Sequence, residues 1–216
     1  MLVTGGTQGM GAAIARRLAA GSATVITTAR SAPPEDLAPD AFVQADISTR
    51  DGVDKILGEV LERFGGIDIL INNVGGSSAP GGGVLALTDA DWQVTLETNL
   101  LAAVRLDRGV LPGMIERHHG VIIHVSSIQR RLPLHAATLA YAAAKAALTT
   151  YSKGLSKEVG PQGIRVNTIA PGFIETDAAQ TADRPIGQAG WDRRAGRTAR
   201  LDGFSGRYPH RPPWSS

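Results

Sequence analysis

The sequence predicts an α/β fold of the doubly wound type, in which a parallel sheet carries helices on both faces. Two observations support this fold class. Short apolar runs such as residues 25–28 (VITT) and 67–71 (IDILI) lack the strict alternation of a half-exposed strand, as expected of strands that are buried on both faces. Such runs alternate with helical stretches through the first 177 residues, which is typical of strand–helix–strand units wound right-handedly around a parallel sheet.

The individual elements follow from the positions of these runs. Strands are predicted where β-branched and apolar residues cluster between turn residues, over 2–4, 24–28, 41–44, 68–71, 120–125 and 163–169. Helices are predicted over 9–20, 50–64, 89–117 and 139–159. A chain of 216 residues, 43% hydrophobic and 19% charged, fits one globular domain, which we assign to residues 1–177.

Residues 178–216 differ in composition from the rest of the chain. They hold seven Arg against three Asp, and their only branched aliphatic residues are Ile186 and Leu201. Since the whole chain carries a net charge of +2, residues 1–177 carry −2, which gives no reason to expect nucleic acid as a partner. We expect a poorly ordered basic tail rich in Arg, Gly and Pro, and its origin has two alternatives, native sequence or a frameshift near residues 178–193.

Other features of the composition exclude further classes of protein. No run approaches the ~18 apolar residues of a membrane span, so no membrane partner is expected. The chain has no cysteine, which excludes disulfides and thiolate catalysis, and no His, Asp or Glu cluster has metal-ligand spacing. His124 falls inside a predicted strand and is interpreted as a hydrogen-bonded structural residue. The first residues lack a signal-peptide pattern, so a cytoplasmic location is expected.

A glycine-rich turn, TGGTQGMG (4–11), joins the first predicted strand to the first helix. Gly5, Gly9 and Gly11 let the backbone turn tightly and approach a ligand, and the helix N-terminus offers free N–H groups to a pyrophosphate. The spacing Gly-x-x-x-Gly-x-Gly differs from the commonest dinucleotide fingerprint, and an ordinary β–α turn is the alternative. The place of the turn, directly after the first strand, favours a nucleotide.

The residue that follows the second predicted strand bears on the choice of cofactor. An acidic side chain there would bind the 2′-hydroxyl of the adenosine ribose, as in many NAD-binding proteins. This chain has Arg30, whose guanidinium suits a 2′-phosphate by charge and by bidentate geometry. Arg30 therefore favours NADP(H), with NAD(H) as the alternative cofactor and a solvated loop arginine as the alternative interpretation.

Tyr141 and Lys145 lie four residues apart in the alanine-rich run AYAAAKAAL and so share one face of the predicted helix. A nearby ammonium favours the phenolate, so we expect Lys145 to lower the pKa of Tyr141 from its usual ~10. A surface pair is the alternative interpretation. The run VIIHVSS places Ser126 and Ser127 at the carboxyl end of a strand, where binding sites collect in this architecture. A serine, a tyrosine and a lysine beside a nucleotide are suited to carbonyl reduction.

Eight ordered motifs complete a pattern that resembles the short-chain dehydrogenase/reductase family over residues 1–177. They are TGGTQGMG (4–11), ADIS (45–48), NNVG (72–75), TNLLAA (98–103), LPGM (111–114), VSS (125–127), YAAAK (141–145) and RVNTIAPGFIET (165–176). The resemblance implies a Rossmann-type fold and an NAD(P)(H)-dependent oxidoreductase that transfers a hydride between nicotinamide and a carbonyl or alcohol.

The resemblance also implies roles for individual residues. The implied catalytic residues are Asn99 as support of a proton relay at a kink in the long helix, Ser127 as the group that holds the substrate oxygen, Tyr141 as general acid/base, and Lys145. The implied cofactor-binding residues are Gly5, Thr7, Gln8, Gly9, Met10, Gly11, Arg30, Asp46, Ile47, Asn73, Gly75, Tyr141, Lys145, Pro171, Gly172, Ile174 and Thr176; no metal is implied. The interval from Ser127 to Tyr141 is one residue longer than is usual in the family, so Ser126 stays an alternative.

Partners and substrate follow from the same resemblance. It implies a homodimer formed through the long helices 89–117 and 139–159, whereas the C-terminal elements that relatives use in tetramers cannot be found. The family's last helix and strand have no counterpart in 178–216, so we expect the sheet to lack its usual last strand. A ketoacyl thioester, a steroid, a sugar and a quinone stay open as substrates. A truncated, catalytically impaired member and a non-catalytic nucleotide-binding relative stay open as alternatives to an active enzyme.

Overall fold

Strands and helices alternate along the chain in a computed structural model, which describes residues 1–172 apart from 36, 38 and 135–137. The strands are β1 (Leu2–Thr4), β2 (Ile26–Ala29), β3 (Ala41–Gln44), β4 (Ile69–Asn72), β5 (Gly120–Val125) and β6 (Ile164–Ile169). The helices are α1 (Gly9–Ala19), α2 (Arg50–Phe64), α3 (Asp89–Leu96), α4 (Ala102–Glu116) and α5 (Leu139–Val159). Short 3₁₀ turns cover Val84–Ala86, Ile128–Arg130 and Gly160–Gln162, and a π-helical turn covers Glu97–Leu101.

The six strands form one parallel sheet in the order β3-β2-β1-β4-β5-β6. β1 pairs with both β2 and β4, so the order reverses beside β1, and a crevice opens there at the carboxyl ends of the strands. The predicted parallel, doubly wound sheet is confirmed. Whether the usual last strand is lacking concerns residues 173–216, which lie outside the described residues, as do Ile174, Thr176 and the predicted tail.

Two apolar clusters cover the two faces of the sheet. Leu2 and Leu70 belong to a cluster with α2, α4 and α5, while their neighbours Val3 and Ile71 belong to a cluster with α1. Successive strand residues point to opposite faces, so these strands are apolar on both sides, as their unbroken apolar runs predict. Among the described residues, no helix is both long and apolar enough to cross a bilayer.

The helix predicted over 89–117 is present as α3 and α4 with a π-helical turn between them, at the place where the family resemblance implies a kink. α3 is separated from α4 by the π-helical turn Glu97–Leu101, which contains Asn99. The side chain explains the interruption, because Asn99 Nδ2 donates a 3.0 Å hydrogen bond to Thr95 O, the carbonyl that the Asn99 amide would use in an α-helix. The other predicted elements are present with shifts of one or two residues, the largest at the start of β2.

Candidate active site

A cleft lies at the carboxyl ends of β1, β4 and β5, beside the point where the strand order reverses. Its walls come from the glycine-rich turn, the loop after β4, the end of β5, the first turns of α5 and the residues after β6. The lining residues are Met10, Asn73, Gly75, Val125, Ser126, Ser127, Tyr141, Lys145, Pro171 and Gly172. Eight of the residues predicted from the sequence as site residues therefore share one cleft, with Ser126 and Val125 in addition.

The glycine-rich turn is held in a shape that only glycine permits. Gly5 and Gly9 have φ angles of +63° and +52°, and a Cβ on Gly11 would lie 2.0 Å from Gly5 O. Asn73 Nδ2 donates to Thr4 O at 3.0 Å and to Gly5 O at 3.3 Å, which ties the turn to the end of β4. Asn73 therefore lines the cleft, and its side-chain amide also holds the glycine-rich turn in place.

The turn leads into the N-terminus of α1. Thr7 is buried at the turn, whereas Gln8 and Gly9 are exposed. Gln8 stands at the N-cap of α1, and its side chain makes no capping bond to a described residue. The first turn of α1 has no acidic residue, so the positive end of the helix is available to an anion at this place.

Lys145 is fully buried beneath the cleft. Its Nζ donates to Val125 O at 2.9 Å and to Val74 O at 3.5 Å, and burial lowers the pKa of the ammonium to about 8. Gly75 makes room for it, because a Cβ there would lie 2.6 Å from Lys145 Nζ and 3.0 Å from Asn99 Oδ1. A lysine with this pKa still carries its charge at neutral pH.

The phenol of Tyr141 lies partly buried in the cleft beside Ser127. Burial raises the pKa of Tyr141, and a hydrogen bond with Ser127 offsets part of that rise. The predicted lowering of the pKa of Tyr141 is not seen in this structure, where the net effect is a rise. Lys145 Nζ is 5.8 Å from the centroid of the Tyr141 ring, and its hydrogen bonds go to backbone carbonyls. The phenol is therefore protonated at neutral pH.

The two candidate serines have different partners. Ser126 Oγ donates to Lys145 O at 3.0 Å and shares a 2.8 Å hydrogen bond with Thr149 Oγ1, so it joins the end of β5 to α5. Ser127 Oγ accepts a hydrogen bond from Gln129 N at 3.2 Å and is the serine bonded to Tyr141. The geometry therefore favours Ser127 over Ser126 as the serine that acts with Tyr141.

Asn99 is buried behind the cleft, at the π-helical turn. Its Oδ1 accepts from Gly76 N at 3.0 Å and its Nδ2 donates to Gly76 O at 2.9 Å. The side chain thus fixes the backbone next to Gly75, against which Lys145 also packs. In this structure the side chain of Asn99 shapes the wall of the cleft.

The predicted adenine-side residues divide into exposed and buried ones. Arg30 is exposed directly after β2, and its carbonyl accepts a 2.8 Å hydrogen bond from Gln44 Nε2. Asp46 is exposed, and its Oδ1 accepts from Ser48 N and Oγ at 2.9 and 2.8 Å. Ile47 is 6% exposed, and its side chain packs in the core beside α2.

Sequence reasoning missed a polar cluster beneath the site. His124 is hydrogen-bonded and completely buried, which confirms its interpretation as a structural residue. Its partners Asp107 and Ser152 were not predicted. A charged Asp107 on the otherwise apolar buried face of α4 was the available signal.

Comparison with known proteins identifies the family. The family model described as short chain dehydrogenase matches residues 1–186. The chain belongs to the short-chain dehydrogenase family. The 3-oxoacyl-[acyl-carrier-protein] reductase of Vibrio cholerae is 36% identical over 182 residues, which cover 82% of this chain and 73% of that protein. The Escherichia coli protein of the same name is 35% identical over 206 residues, 93% of this chain and 80% of its own length.

Solved structures of family members show the same architecture. L-sorbose reductase from Gluconobacter frateurii, in complex with NADPH and L-sorbose, is 38% identical with a TM-score of 0.76 over 82% of this chain and 70% of that chain. Aldohexose dehydrogenase from Thermoplasma acidophilum is 26% identical, with a TM-score of 0.76 over 84% and 69% of the two chains. This short-chain dehydrogenase is accordingly an oxidoreductase with a Rossmann-type sheet.

Proposed function

We propose that this short-chain dehydrogenase is an NADP(H)-preferring carbonyl reductase or alcohol dehydrogenase in which Tyr141 is the general acid/base. One observation carries the proposal: Tyr141, paired with Ser127, shares a cleft with Lys145 and with the glycine-rich turn. A bound nicotinamide cofactor supplies the hydride that a carbonyl carbon accepts, while the protein supplies placement and the proton.

The residues present fit such a cofactor. The turn leaves no space for a Cβ at Gly11, and the uncapped N-terminus of α1 suits a pyrophosphate, with Gly5, Thr7, Gln8, Gly9, Met10 and Gly11 around it. Arg30 supports NADP(H) over NAD(H), in line with the NADPH complex of the related L-sorbose reductase. Asp46 and Ile47 would flank the adenine, and Asn73 and Gly75 would line the ribose side of the cofactor. Lys145 would bind the nicotinamide ribose, Ile174 and Thr176 would meet the carboxamide, and Pro171 and Gly172 would also contact the cofactor.

The chemistry assigned to the chain's own residues follows from their protonation. The raised pKa keeps the proton on Tyr141 Oη, from which the substrate oxygen takes it as the carbonyl carbon is reduced. Ser127, held by Gln129 N, is placed to bind that oxygen together with Tyr141. The Lys145 ammonium, buried beneath the cleft, stabilises the phenolate that forms when the proton leaves.

The test of the reaction class is label transfer from NADPH deuterated at the reactive position of its nicotinamide. The substrates are a β-ketoacyl thioester, a ketose, a steroid ketone and a quinone, since the substrate class is open. We expect deuterium at the carbinol carbon of at least one product. Cofactor binding by fluorescence without turnover of any carbonyl compound would indicate a non-catalytic nucleotide-binding relative instead.

For the quaternary structure we propose a homodimer formed through α4 and α5. α5 presents Gly154 to solvent, with no atom within 4 Å of where its Cβ would stand. Gly154→Arg should therefore leave the subunit folded but prevent a second α5 from packing closely. Light scattering should give the molar mass of a dimer for the wild type and a lower molar mass for the variant. A wild type that is well folded and has the mass of a monomer would contradict the proposal.

A further inference from the structure

Six polar side chains meet in the interior beneath the active site, between the sheet and helices α4 and α5. We name them the Asp107 cluster: Asn72, Asp107, His124, Tyr151, Ser152 and Thr168. Asp107, His124 and Ser152 are at most 2% exposed. Asn72, His124 and Thr168 form one row across the sheet, because they stand opposite one another in β4, β5 and β6. Five elements thus contribute to one buried polar group.

Asp107 is the centre of this cluster. Its Oδ1 accepts a 2.8 Å hydrogen bond from Asn72 Nδ2. Its Oδ2 lies 2.9 Å from His124 Nε2 and accepts from Tyr151 OH at 2.9 Å. Burial, followed by the nearby Asp107 carboxylate, raises the pKa of Tyr151, so the phenol keeps its proton and remains a donor. The carboxylate therefore joins α4 to β4, β5 and α5 at once.

The hydrogen bonds of the cluster form a chain with one consistent direction. Thr168 Oγ1 donates to Ser152 Oγ at 2.7 Å, and Ser152 Oγ lies 2.9 Å from His124 Nδ1. If Ser152 Oγ donates a hydrogen bond to His124 Nδ1, the ring proton of His124 is on Nε2 and Nε2 donates to Asp107. Each hydroxyl then donates once along the chain, and both ring nitrogens have a partner.

Serine, histidine and aspartate in this order suggest a nucleophilic triad, but the geometry excludes that role. Ser152 is 2% exposed, and its oxygen already accepts a hydrogen bond from Thr168. No substrate can reach it within the described fold. The cluster also lies behind the cleft and lines none of its wall. Its effect on the reaction must therefore pass through the elements that it joins.

Each element that the Asp107 cluster joins also contributes to the active site, through a residue that is close in sequence to its cluster residue. His124 precedes Val125, whose carbonyl accepts a hydrogen bond from the Lys145 ammonium. Ser152 lies seven residues, about two helical turns, after Lys145 on α5. Asn72 precedes the loop with Gly75, against which Lys145 packs. A shift of α5 along β5 would therefore move Lys145 and Tyr141 relative to Ser127.

We propose that the Asp107–His124 pair is a positioning device for the reaction, one that fixes the register of α5 against β5 and so places Tyr141 and Lys145. A buried carboxylate–imidazole pair adds little net stability to a fold, because apolar residues of the same volume often stabilise the folded state as well or better. Its directional bonds, in contrast, specify one arrangement of the joined elements. This inference rests on the proposed function, because its kinetic consequence requires Tyr141 and Lys145 to act.

The test compares full-length variants in kinetics and in hydrogen exchange. His124→Phe keeps a ring of similar shape and removes both hydrogen bonds, while His124→Gln keeps one donor within reach of Asp107. Met114→Ala is the matched control, since it opens a cavity in the same helix as Asp107 without touching the cluster. We expect His124→Phe to lower kcat at least about tenfold with the NADPH Kd changed less than about threefold, because misplacement by even 1 Å costs more than this. His124→Gln should recover part of the loss.

Hydrogen exchange supplies the readout that does not depend on activity. Amides 141–148 of α5 should exchange faster in His124→Phe than in Met114→Ala when the two variants are equally destabilised. If His124→Phe does not fold, Asp107→Asn, which keeps the shape and removes the charge, should show the same two effects. Folded variants with wild-type kcat and unchanged exchange at 141–148 would overturn the inference. A wild-type protein that reduces no carbonyl compound would overturn the proposed function, and exchange alone would then decide the role of the cluster.

Discussion

The buried ammonium of Lys145 makes the stability of the protein depend on pH in a defined direction. Burial lowers the pKa of Lys145 from 10.5 to about 8, so the unfolded chain binds this proton more tightly than the folded one. The free-energy cost of burying the charge is present in full below about pH 8. It disappears as the pH rises towards 10.5, the pKa of this lysine in the unfolded chain. The free energy of unfolding should therefore increase by about 2–3 kcal/mol between about pH 7 and about pH 10, at 1.36 kcal/mol for each pKa unit.

Lys145→Met removes the titrating group and retains the length of the side chain. Unfolding by urea at several pH values measures the difference in free energy between wild type and this variant, which cancels the contributions of the titrating groups that do not interact with Lys145. Lys153→Met, an exposed lysine of the same helix, is the matched control and should give a curve parallel to that of the wild type. A wild-type-minus-Lys145→Met difference that is constant with pH to within about 0.5 kcal/mol would refute the reasoning.

Two further changes test the cleft, and a third serves as a control. Arg30→Asp should shift the ratio of NADPH to NADH affinity towards NADH at least about tenfold, since repulsion replaces attraction at a 2′-phosphate; an unchanged ratio in fluorescence titrations removes Arg30 from the site. Gly75→Ala forces a Cβ to within 2.6 Å of Lys145 Nζ and should lower kcat about tenfold or more. Gly58→Ala, on the open side of α2, is the control for Gly75→Ala and should raise the free energy of unfolding by about 0.5–1 kcal/mol in the same urea titration. An equal loss of kcat in both variants would contradict the argument that Gly75 makes room for Lys145.

The sheet and most helices could be predicted because their signals are local. Unbroken apolar runs and their spacing fix which residues form strands buried on both faces, and β1, β3 and β5 have the predicted bounds. A kink at Asn99 is implied by the family resemblance, but its π-helical form could not be predicted from a local pattern. It depends on the Asn99 side chain bonding to Thr95 O and to the loop at Gly76, and these contacts exist only after α3 docks against the loop that follows β4.

The candidate site was predictable as a set of residues but less so in its interactions. Motif spacing correctly predicted that Ser127, Tyr141 and Lys145 share one cleft. It could not decide between Ser126 and Ser127, because that choice depends on the hydrogen bonds that Ser126 makes to α5. The pKa of Tyr141 was predicted in the wrong direction, because spacing on a helix carries no information about burial or about which groups bind the ammonium. The Asp107 cluster combines residues from five elements, so no local pattern contains it.

The central claim is that Tyr141 supplies the proton for reduction of a carbonyl group. Tyr141→Phe retains the ring and removes only the hydroxyl, so single-turnover and steady-state rates with NADPH and a reducible carbonyl compound test the claim most directly. We predict a loss in kcat of about 10²–10⁴-fold with an NADPH Kd within about threefold of wild type. A Tyr141→Phe variant with near wild-type kcat would contradict the assignment of Tyr141 and the reaction built on it.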